Sequence, residues 1–566
     1  MKGLNAARLS TAVVVGLAFS ILVSACSSSS LKSRGHSTAL PTPVRSAKLL
    51  VAGPLDAPGG PFLYDRYGRV VILHGVNAVY KRPPYELISA PGKPYNFSAA
   101  DAKEIASLGF DVVRLGILWQ GLEPGTLGPN NPTICTPGKP THAHQYNASV
   151  AERYLERIGK TVSLLAKYGI YSLIDMHQDV YNQIFGGEGA PAWAVCTDGL
   201  EVTKLSPDWS LNYAQPAVGA AYSNFWHNSV VGNLQGNYDK VWQVVAEYFR
   251  GNPWVLGYDL FNEPYDRTLL TNLSEGSTFN APFDSLLQCF YAGKEFTGHL
   301  SNSKAPISCP PNDPRIGLIP RIQAISPHKL LFFERDIFTS GPDAGWIGPM
   351  PFHNLVLNIH DYCPTAGEGG NPPPSTLHTC ASDQARTISL AALERAADTT
   401  SQQPGGPAWF LSEFGATNSI PDIDLMTSIA NENLLGWTYW AWKYYDDPTG
   451  NPNEALARPN GALHLAKARA LAQTYAQAIA GIPEYMSYDP STAKFELRYR
   501  PNPHITEPTV VFVPESLNYP KGYCARAIGA TIISRPNATH LLIRNEPAET
   551  PNTHLVTVSV TKKPCR

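Results

Sequence analysis

Short apolar runs alternate with helix-period segments along most of the chain. Val70–Leu73, Asp111–Leu115, Tyr171–Met176, Val255–Phe261, Lys329–Glu334, Leu355–Ile359, Trp409–Ser412 and Leu435–Trp440 are largely apolar, without polar alternation. Such strands are buried on both faces, the mark of a parallel sheet covered by helices. Ser98–Leu108, Val150–Tyr168 and Tyr238–Arg250 instead carry apolar residues at helical spacing. Ser98 or Asp101 suits the start of the first, and Gly169 ends the second. Eight strands spaced by helices predict an α/β fold, a (β/α)8 TIM barrel over residues 49–481. A further helix is predicted over Leu463–Ala480. Beyond it Phe495–Tyr499, Thr509–Val513, His540–Arg544 and His554–Val560 alternate apolar and polar positions with no helix between. They predict a C-terminal antiparallel β-sandwich over 482–566, with the boundary near Gly481-Ile482-Pro483.

The first residues follow another pattern. Lys2 and Arg8 precede the uncharged apolar run Thr11–Ala25. The run is short for a membrane-spanning helix and fits the core of a secretory signal. Its end, Leu22-Val23-Ser24-Ala25-Cys26, resembles the bacterial lipobox, in which the Cys is lipidated. The expectation is a signal peptide over 1–25, a flexible lipidated tether over 26–48, and a bacterial cell-envelope lipoprotein; an ordinary secreted protein is the alternative. Eight Cys remain once Cys26 is set aside. An even number in an exported chain suggests disulfides, and nearest neighbours would pair Cys135 with Cys196, Cys289 with Cys309, Cys363 with Cys380, and Cys524 with Cys565.

Composition narrows the function classes. Charged residues make up 16% of the 566 residues, against about 25% in a typical domain. The formal net charge of −2 carries no basic excess, so no nucleic-acid partner is expected. No glycine-rich phosphate loop, metal-ligand cluster, CxxC pair or serine nucleophile elbow occurs, so no cofactor or metal is expected. Long loops rich in Pro, Gly and Asn, near 124–145, 181–234, 264–313 and 361–384, are where function would reside.

A barrel of this kind carries its active site at the C-terminal ends of its strands. The polar residues there are Arg114, His177, Asp179, Asn262, Glu263, His360, Tyr362 and Glu413, with Trp440 on the last strand. Glu263 and Glu413 end two different strands. Two opposed carboxyls are what glycoside hydrolysis needs, one protonated to donate to the leaving oxygen and one ionised to attack the anomeric carbon. The bland alternative for each is a strand-end salt bridge or capping carboxylate.

Leu260-Phe261-Asn262-Glu263-Pro264 resembles the Asn-Glu-Pro motif of glycoside hydrolase family 5. Leu411-Ser412-Glu413-Phe414-Gly415 resembles that family's strand-seven nucleophile segment. Val113-Arg114-Leu115-Gly116, His360-Asp361-Tyr362 and Gly436-Trp437-Thr438-Tyr439-Trp440 resemble its strand-two, strand-six and strand-eight elements, in the same order. Within the family, Gly75–Tyr85, Asp175-Met176-His177-Gln178-Asp179 and Tyr519-Pro520-Lys521-Gly522-Tyr523 look like endoglycoceramidases. The Cys-bearing inserts near 125–145, 186–234 and 273–313 depart from that pattern and put the glycolipid in doubt.

The resemblance implies a retaining hydrolase that separates the glycan from ceramide. It implies Glu263 as acid/base, Glu413 as nucleophile about 5–5.5 Å away, and Asn262 on the sugar 2-hydroxyl. Arg114 would hold Glu413 ionised, His360 would support Asn262 or Glu263, and Tyr362 would donate to Glu413. His177 and Asp179 would bind sugar hydroxyls and Trp440 would floor the sugar. Lys81 reads as a solvated surface lysine from the residues alone; only the resemblance makes it a substrate contact. Trp119 and Trp193 read as structural or lip residues. Tyr181–Phe185, Pro191–Trp193 and Phe225-Trp226 are candidates for an apolar trough, or equally for core. The expected partners are a glycolipid and, through Cys26, a membrane; the chain is expected to be a monomer. The alternatives are a β-glucosidase on glucosylceramide or sterol glucosides, a cellulase-like hydrolase, or an inactive glycolipid-binding lipoprotein.

Overall fold

The computed structural model describes residues 51–53, 62–125, 146–203, 205–206, 208–228, 233–266, 281–296, 309, 316–335, 347–363, 377–397, 406–546 and 555–562. Three short strands come first: β1 (Val51–Gly53), β2 (Phe62–Tyr64) and β3 (Val70–Val71). Eight strands then close into a parallel barrel: β4 (His74–Ala78), β5 (Val112–Ile117), β6 (Tyr171–Met176), β7 (Val255–Asp259), β8 (Leu330–Phe333), β9 (Leu355–Asp361), β10 (Ala408–Phe414) and β11 (Gly436–Tyr439). Every neighbouring pair is parallel, and β11 pairs back onto β4. The predicted TIM barrel is therefore present.

Its first strand is not the apolar run Val70–Leu73. Val70 and Ile72 face one hydrophobic core while Val71 and Leu73 face another, so this run is apolar throughout because it bridges two cores. The strand that enters the barrel, His74-Gly75-Val76-Asn77-Ala78, carries two polar residues and a glycine, which hides it from a count of apolar runs.

A second difference lies at Leu463–Ala480. The helix covers only Leu465–Leu471, and Tyr475–Ile479 is strand β12. Alanine favours helix, but β12 pairs on one side with β3 and on the other with β15 (Thr509–Phe512), and tertiary pairing overrides the local preference. β13 (Gly481–Asp489), β14 (Lys494–Pro501), β16 (Cys524–Ile528) and β19 (Val556–Thr561) form a four-stranded antiparallel sheet. β17 (Ala530–Ile532) and β18 (His540–Asn545) complete a seven-stranded sheet with β12, β15 and β1–β3. Phe495, Leu497 and Val558 from one sheet meet Tyr64, Val511 and Ile543 from the other. The C-terminal sandwich is thus present, but its strands begin at Tyr475 and it also recruits β1, β2 and β3.

The sandwich covers the N-terminal end of the barrel. Tyr475 stacks on His74 with centroids 3.7 Å apart, and its hydroxyl donates to the Gly109 carbonyl at 2.7 Å. Leu63 and Val71 join Leu73, Leu173, Leu256, Phe332, Val356 and Phe410 in the cluster that fills the bore. Sealing that end leaves the C-terminal ends of the strands as the accessible face.

The disulfides Cys289–Cys309 and Cys363–Cys380 are formed as expected. Cys196 and Cys524 are also disulfide-bonded. Their expected partners Cys135 and Cys565 lie outside the described residues, as do Cys26, the signal peptide and the tether. Among the described residues no helix is long and apolar enough to cross a membrane.

Candidate active site

Arg114, on β5, is wholly buried at the heart of the barrel mouth. Its Nη2 lies 2.9 Å from Asp175 Oδ1 on the adjacent strand β6 and 2.7 Å from Asp259 Oδ2 on β7, one strand further. Nη1 donates to Glu413 Oε1. Asn77, Asn262 and Glu334 stand around it at 3.3, 3.2 and 3.5 Å. One guanidinium thus faces four carboxyls. Burial raises Asp259 and Glu334 to about 7, the nearby Arg114 opposing it, so this network holds protons as well as charges.

Glu263 and Glu413 meet across this network. Oxygens of the two carboxyls, together with a His360 ring nitrogen, all lie within 4.8 Å of one another. Their other partners differ. Glu413 accepts from Arg114 and, at 2.8 Å, from the Tyr362 hydroxyl. Glu263 Oε1 lies 2.8 Å from His360 Nδ1, and its Oε2 meets no donor among the described residues although buried. Burial pushes both carboxyls well above the ordinary glutamate range. For Glu413 the strongest opposing influences are Arg114 and the Tyr362 hydrogen bond; for Glu263 the charge of Glu413 adds to burial. The shared proton therefore belongs on Glu263. Arg114 touches Glu413, as expected, and its charge favours the ionised form against the opposing effect of burial.

Backbone geometry supports the same centre. Glu263 has φ of 39°, in the left-handed region that costs a non-glycine residue about 1–3 kcal/mol. Its N–H donates to Glu334 Oε2 at 2.7 Å, which clamps that conformation. Gln178 Nε2 donates to the Asn262 carbonyl at 3.0 Å. His360 touches Glu263, one of its expected partners, and, at 3.3 Å, Glu334.

A second group flanks the pair. Lys81 is 3% exposed, not a solvated surface residue. Its ammonium lies 2.6 Å from Asp179 Oδ2, 3.1 Å from Asp447 Oδ2 and 4.7 Å above the centroid of Trp440. Burial opposes its charge, but Asp179 and Asp447 more than compensate and hold its pKa well above the usual value. His177 lies parallel to Trp440 at 5.6 Å. Burial pushes its pKa well down, so it is neutral. The Trp440 indole donates to Glu454 Oε2 at 2.9 Å, which fixes the ring plane.

The structure brings together every predicted site residue on the barrel. It adds Asn77, Asp175, Asp259, Glu334 and Asn358, and from loops Glu188, Asp447, Thr449 and Glu454. Glu334 was legible: it too is a carboxylate just past a strand. Asp447, Thr449 and Glu454 follow the last strand in a loop with no motif, and only folding brings them back.

The suggested apolar trough is instead core. Tyr181, Phe185, Trp193, Phe225 and Trp226 are at most 4% exposed. Trp119 and Trp193 meet edge to face at 5.4 Å, and both indoles donate to Glu123. In the same β6–β7 connection, Leu200, Val202, Leu205 and Leu211 are exposed.

Comparison with known proteins adds independent weight. Residues 67–283 and 314–446 match the family described as cellulase (glycosyl hydrolase family 5), and residues 473–560 match the family 5 C-terminal domain. Endoglycoceramidase I of Rhodococcus hoagii (strain 103S) is 28% identical over 85% of this chain and 83% of its own. An endoglycoceramidase of Hydra vulgaris is 25% identical over 81% and 80%. A solved structure described as endo-glycoceramidase II from Rhodococcus sp., lactosyl-enzyme intermediate, is 25% identical, covers 89% of this chain and 100% of its own, and superposes with a TM-score of 0.62.

Proposed function

The chain belongs to glycoside hydrolase family 5, and from that premise we propose that it is a retaining endo-β-glycosidase that releases the intact glycan of a glycosphingolipid from its ceramide. The observation that carries the reading is the pair Glu263 and Glu413, with oxygens within 4.8 Å and different partners. Retaining enzymes hold their carboxyls about 5–5.5 Å apart, whereas inverting ones need roughly 6.5–9.5 Å to admit a water between them. The likeness to endoglycoceramidases over four-fifths of the chain supports the substrate class.

In this mechanism Glu413 attacks the anomeric carbon. Arg114 and Tyr362 favour its ionised form and aim one oxygen. Glu263 protonates the ceramide oxygen through Oε2, the atom that meets no donor, while His360 holds Oε1. Water then enters on the side ceramide has left. Glu263, now ionised, takes its proton, and the attack of that water returns Glu413. Asn262 contacts the sugar 2-hydroxyl, and Trp440, Lys81, His177 and Asp179 receive the ring. The exposed leucines and valine of the β6–β7 connection give the catalytic end an apolar edge that suits a lipid aglycone.

The start of the chain supports a lipid anchor at Cys26 in a bacterial envelope, which would hold the catalytic face near lipid. Membrane fractionation of wild type and Cys26→Ala tests this; the wild type is expected in the membrane fraction and the variant outside it.

The substrate is tested by incubating the protein with a ganglioside, glucosylceramide and a cello-oligosaccharide and identifying the products by mass. Intact oligosaccharide plus ceramide is expected from the ganglioside. Turnover of glucosylceramide or the cello-oligosaccharide alone would establish the simpler β-glucosidase or cellulase-like activity instead. No turnover of any, with Glu413→Gln indistinguishable from wild type, would favour a binding protein.

A further inference from the structure

Beside the catalytic pair lies a buried charge cluster that the two-step reaction leaves unexplained. The Lys81 ammonium, 2.6 Å from Asp179 and 3.1 Å from Asp447, is also 4.0 Å from Glu188 Oε1, so one cation faces three carboxyls. Asp179 Oδ2 and Asp447 Oδ1 have a further partner in the Thr449 hydroxyl, at 2.7 and 3.0 Å. Neither oxygen of Glu188 meets a hydrogen-bond donor among the described residues, although the side chain is wholly buried. His177 Nε2 stands 3.4 Å from it, and that nitrogen is also without a hydrogen-bond partner.

The backbone holds Glu188 in this place. Asp179 and Glu188 exchange two main-chain hydrogen bonds, of 3.0 and 2.8 Å, in an isolated antiparallel bridge. A Cβ on Gly187 would lie 1.7 Å from the Asp179 carbonyl oxygen. Gly189 has φ of 128°, and a Cβ there would sit 2.4 Å from the Gln178 side chain. The run Gly186-Gly187-Glu188-Gly189 thus presses one carboxyl, with no side chain on either side of it, against the wall where the sugar is received.

We infer that Glu188 is a sugar-contacting residue that, together with Asp179, selects which hydroxyls the ring on Trp440 must carry. The inference rests on the proposed glycosidase reading and adds a specificity determinant to that site. Burial, and then the charge of Asp179, hold Glu188 well above the ordinary carboxylate range, so it stands as a carboxylic acid beside a carboxylate. A hydroxyl both donates and accepts. The Glu188 acid is hydrogen-bonded to Asp179, which leaves its other oxygen, without a donor, to accept from a sugar hydroxyl. A ring lacking that hydroxyl leaves this buried oxygen unpaired, the arrangement that discriminates most strongly between substrates. The donor set His177, Asp179 and Glu188 could also hold a cation, but the Lys81 ammonium already meets Asp179.

The test compares wild type, Glu188→Gln and Glu188→Ala on 4-nitrophenyl β-cellobioside and on analogues lacking one hydroxyl of the ring next to the scissile bond. Calorimetric Kd for a cellobiose-like isofagomine gives a readout independent of turnover. Glu188→Gln keeps an oxygen to accept and an N–H to donate to Asp179, and is expected to retain more of kcat/KM and of affinity than Glu188→Ala. Glu188→Ala is expected to lose about 30-fold on the parent glycoside and little on the one analogue that lacks the contacted hydroxyl. Should Glu188→Ala not fold, Glu188→Asp, which withdraws the carboxyl by one methylene, is read in the same way. Equal losses on every analogue, or an unchanged Kd for Glu188→Ala, would overturn the inference. A wild type that binds the isofagomine tightly yet cleaves no glycolipid would sink the functional reading alone, because the Kd comparison across the variants still decides the role of Glu188.

Discussion

At the scale of single residues, two glutamates of the same type must do opposite things, and their surroundings separate them. Glu413 has a guanidinium and a phenol; Glu263 has an imidazole and one oxygen without a donor. Activity therefore falls at high pH as Glu263 loses its proton and at low pH as Glu413 gains one. Because burial raises both, the bell of kcat/KM against pH is expected higher than for an ordinary carboxylate pair. Glu263→Gln is expected to cost about 10²–10⁴ in kcat/KM on a natural glycoside. It should cost far less in the first step with a dinitrophenyl leaving group, which needs no proton, and rapid-mixing kinetics would show the resulting burst. These two residues were legible because carboxylates past apolar strands are rare and chemically expensive. Lys81 was not, since nothing local distinguishes a lysine that folds inward onto Asp179 and Asp447 from one that faces solvent.

At the scale of elements, strand ends and their clamps set the site. Glu334, just past β8, accepts from the strained Glu263 backbone and lies 3.3 Å from His360. Its charge helps raise the pKa of Glu263. Glu334→Gln should therefore move the alkaline limb of the pH profile to lower pH, and an unmoved limb would show that Glu334 acts on the backbone alone. The Cys363–Cys380 bridge ties the residue after Tyr362 to the helix Leu377–Ala397. Replacing both cysteines by serine is expected to lower kcat and to cost about 3 kcal/mol of stability by chain entropy. The matching change at Cys289 and Cys309 should cost similar stability with kcat nearly unchanged, as read by denaturant melts alongside kinetics. Strand positions were legible wherever an apolar run served one core. They were misread where Val70–Leu73 serves two cores and where sheet pairing overrides the helix preference of the alanines in β12.

At the scale of the whole molecule, the sandwich closes one end of the barrel and the chemistry occupies the other. The sandwich plugs the bore from below, through Leu63, Val71 and Tyr475. No sequence pattern announces which end a second module covers, because the contact joins residues hundreds of positions apart. Burial of acids also gives the molecule a pH signature. Burial raises Asp239 to about 6, and Asp259 and Glu334 to about 7. The native state then binds more protons than the unfolded chain between about pH 4 and pH 7, so stability falls as pH rises through that window. The Tm is expected to be higher at pH 5 than at pH 7.5, and Asp239→Asn should flatten the slope; a Tm that rises over this range would contradict the assignment.

The most direct test of the central claim is to cleave a lactosyl ceramide in water enriched in heavy oxygen and weigh both products. Retaining endo-cleavage by Glu413 and Glu263 predicts intact lactose carrying one heavy oxygen at its reducing end and unlabelled ceramide, with neither product formed by Glu413→Gln. Release of galactose before any ceramide appears, or heavy oxygen in the ceramide, would contradict it.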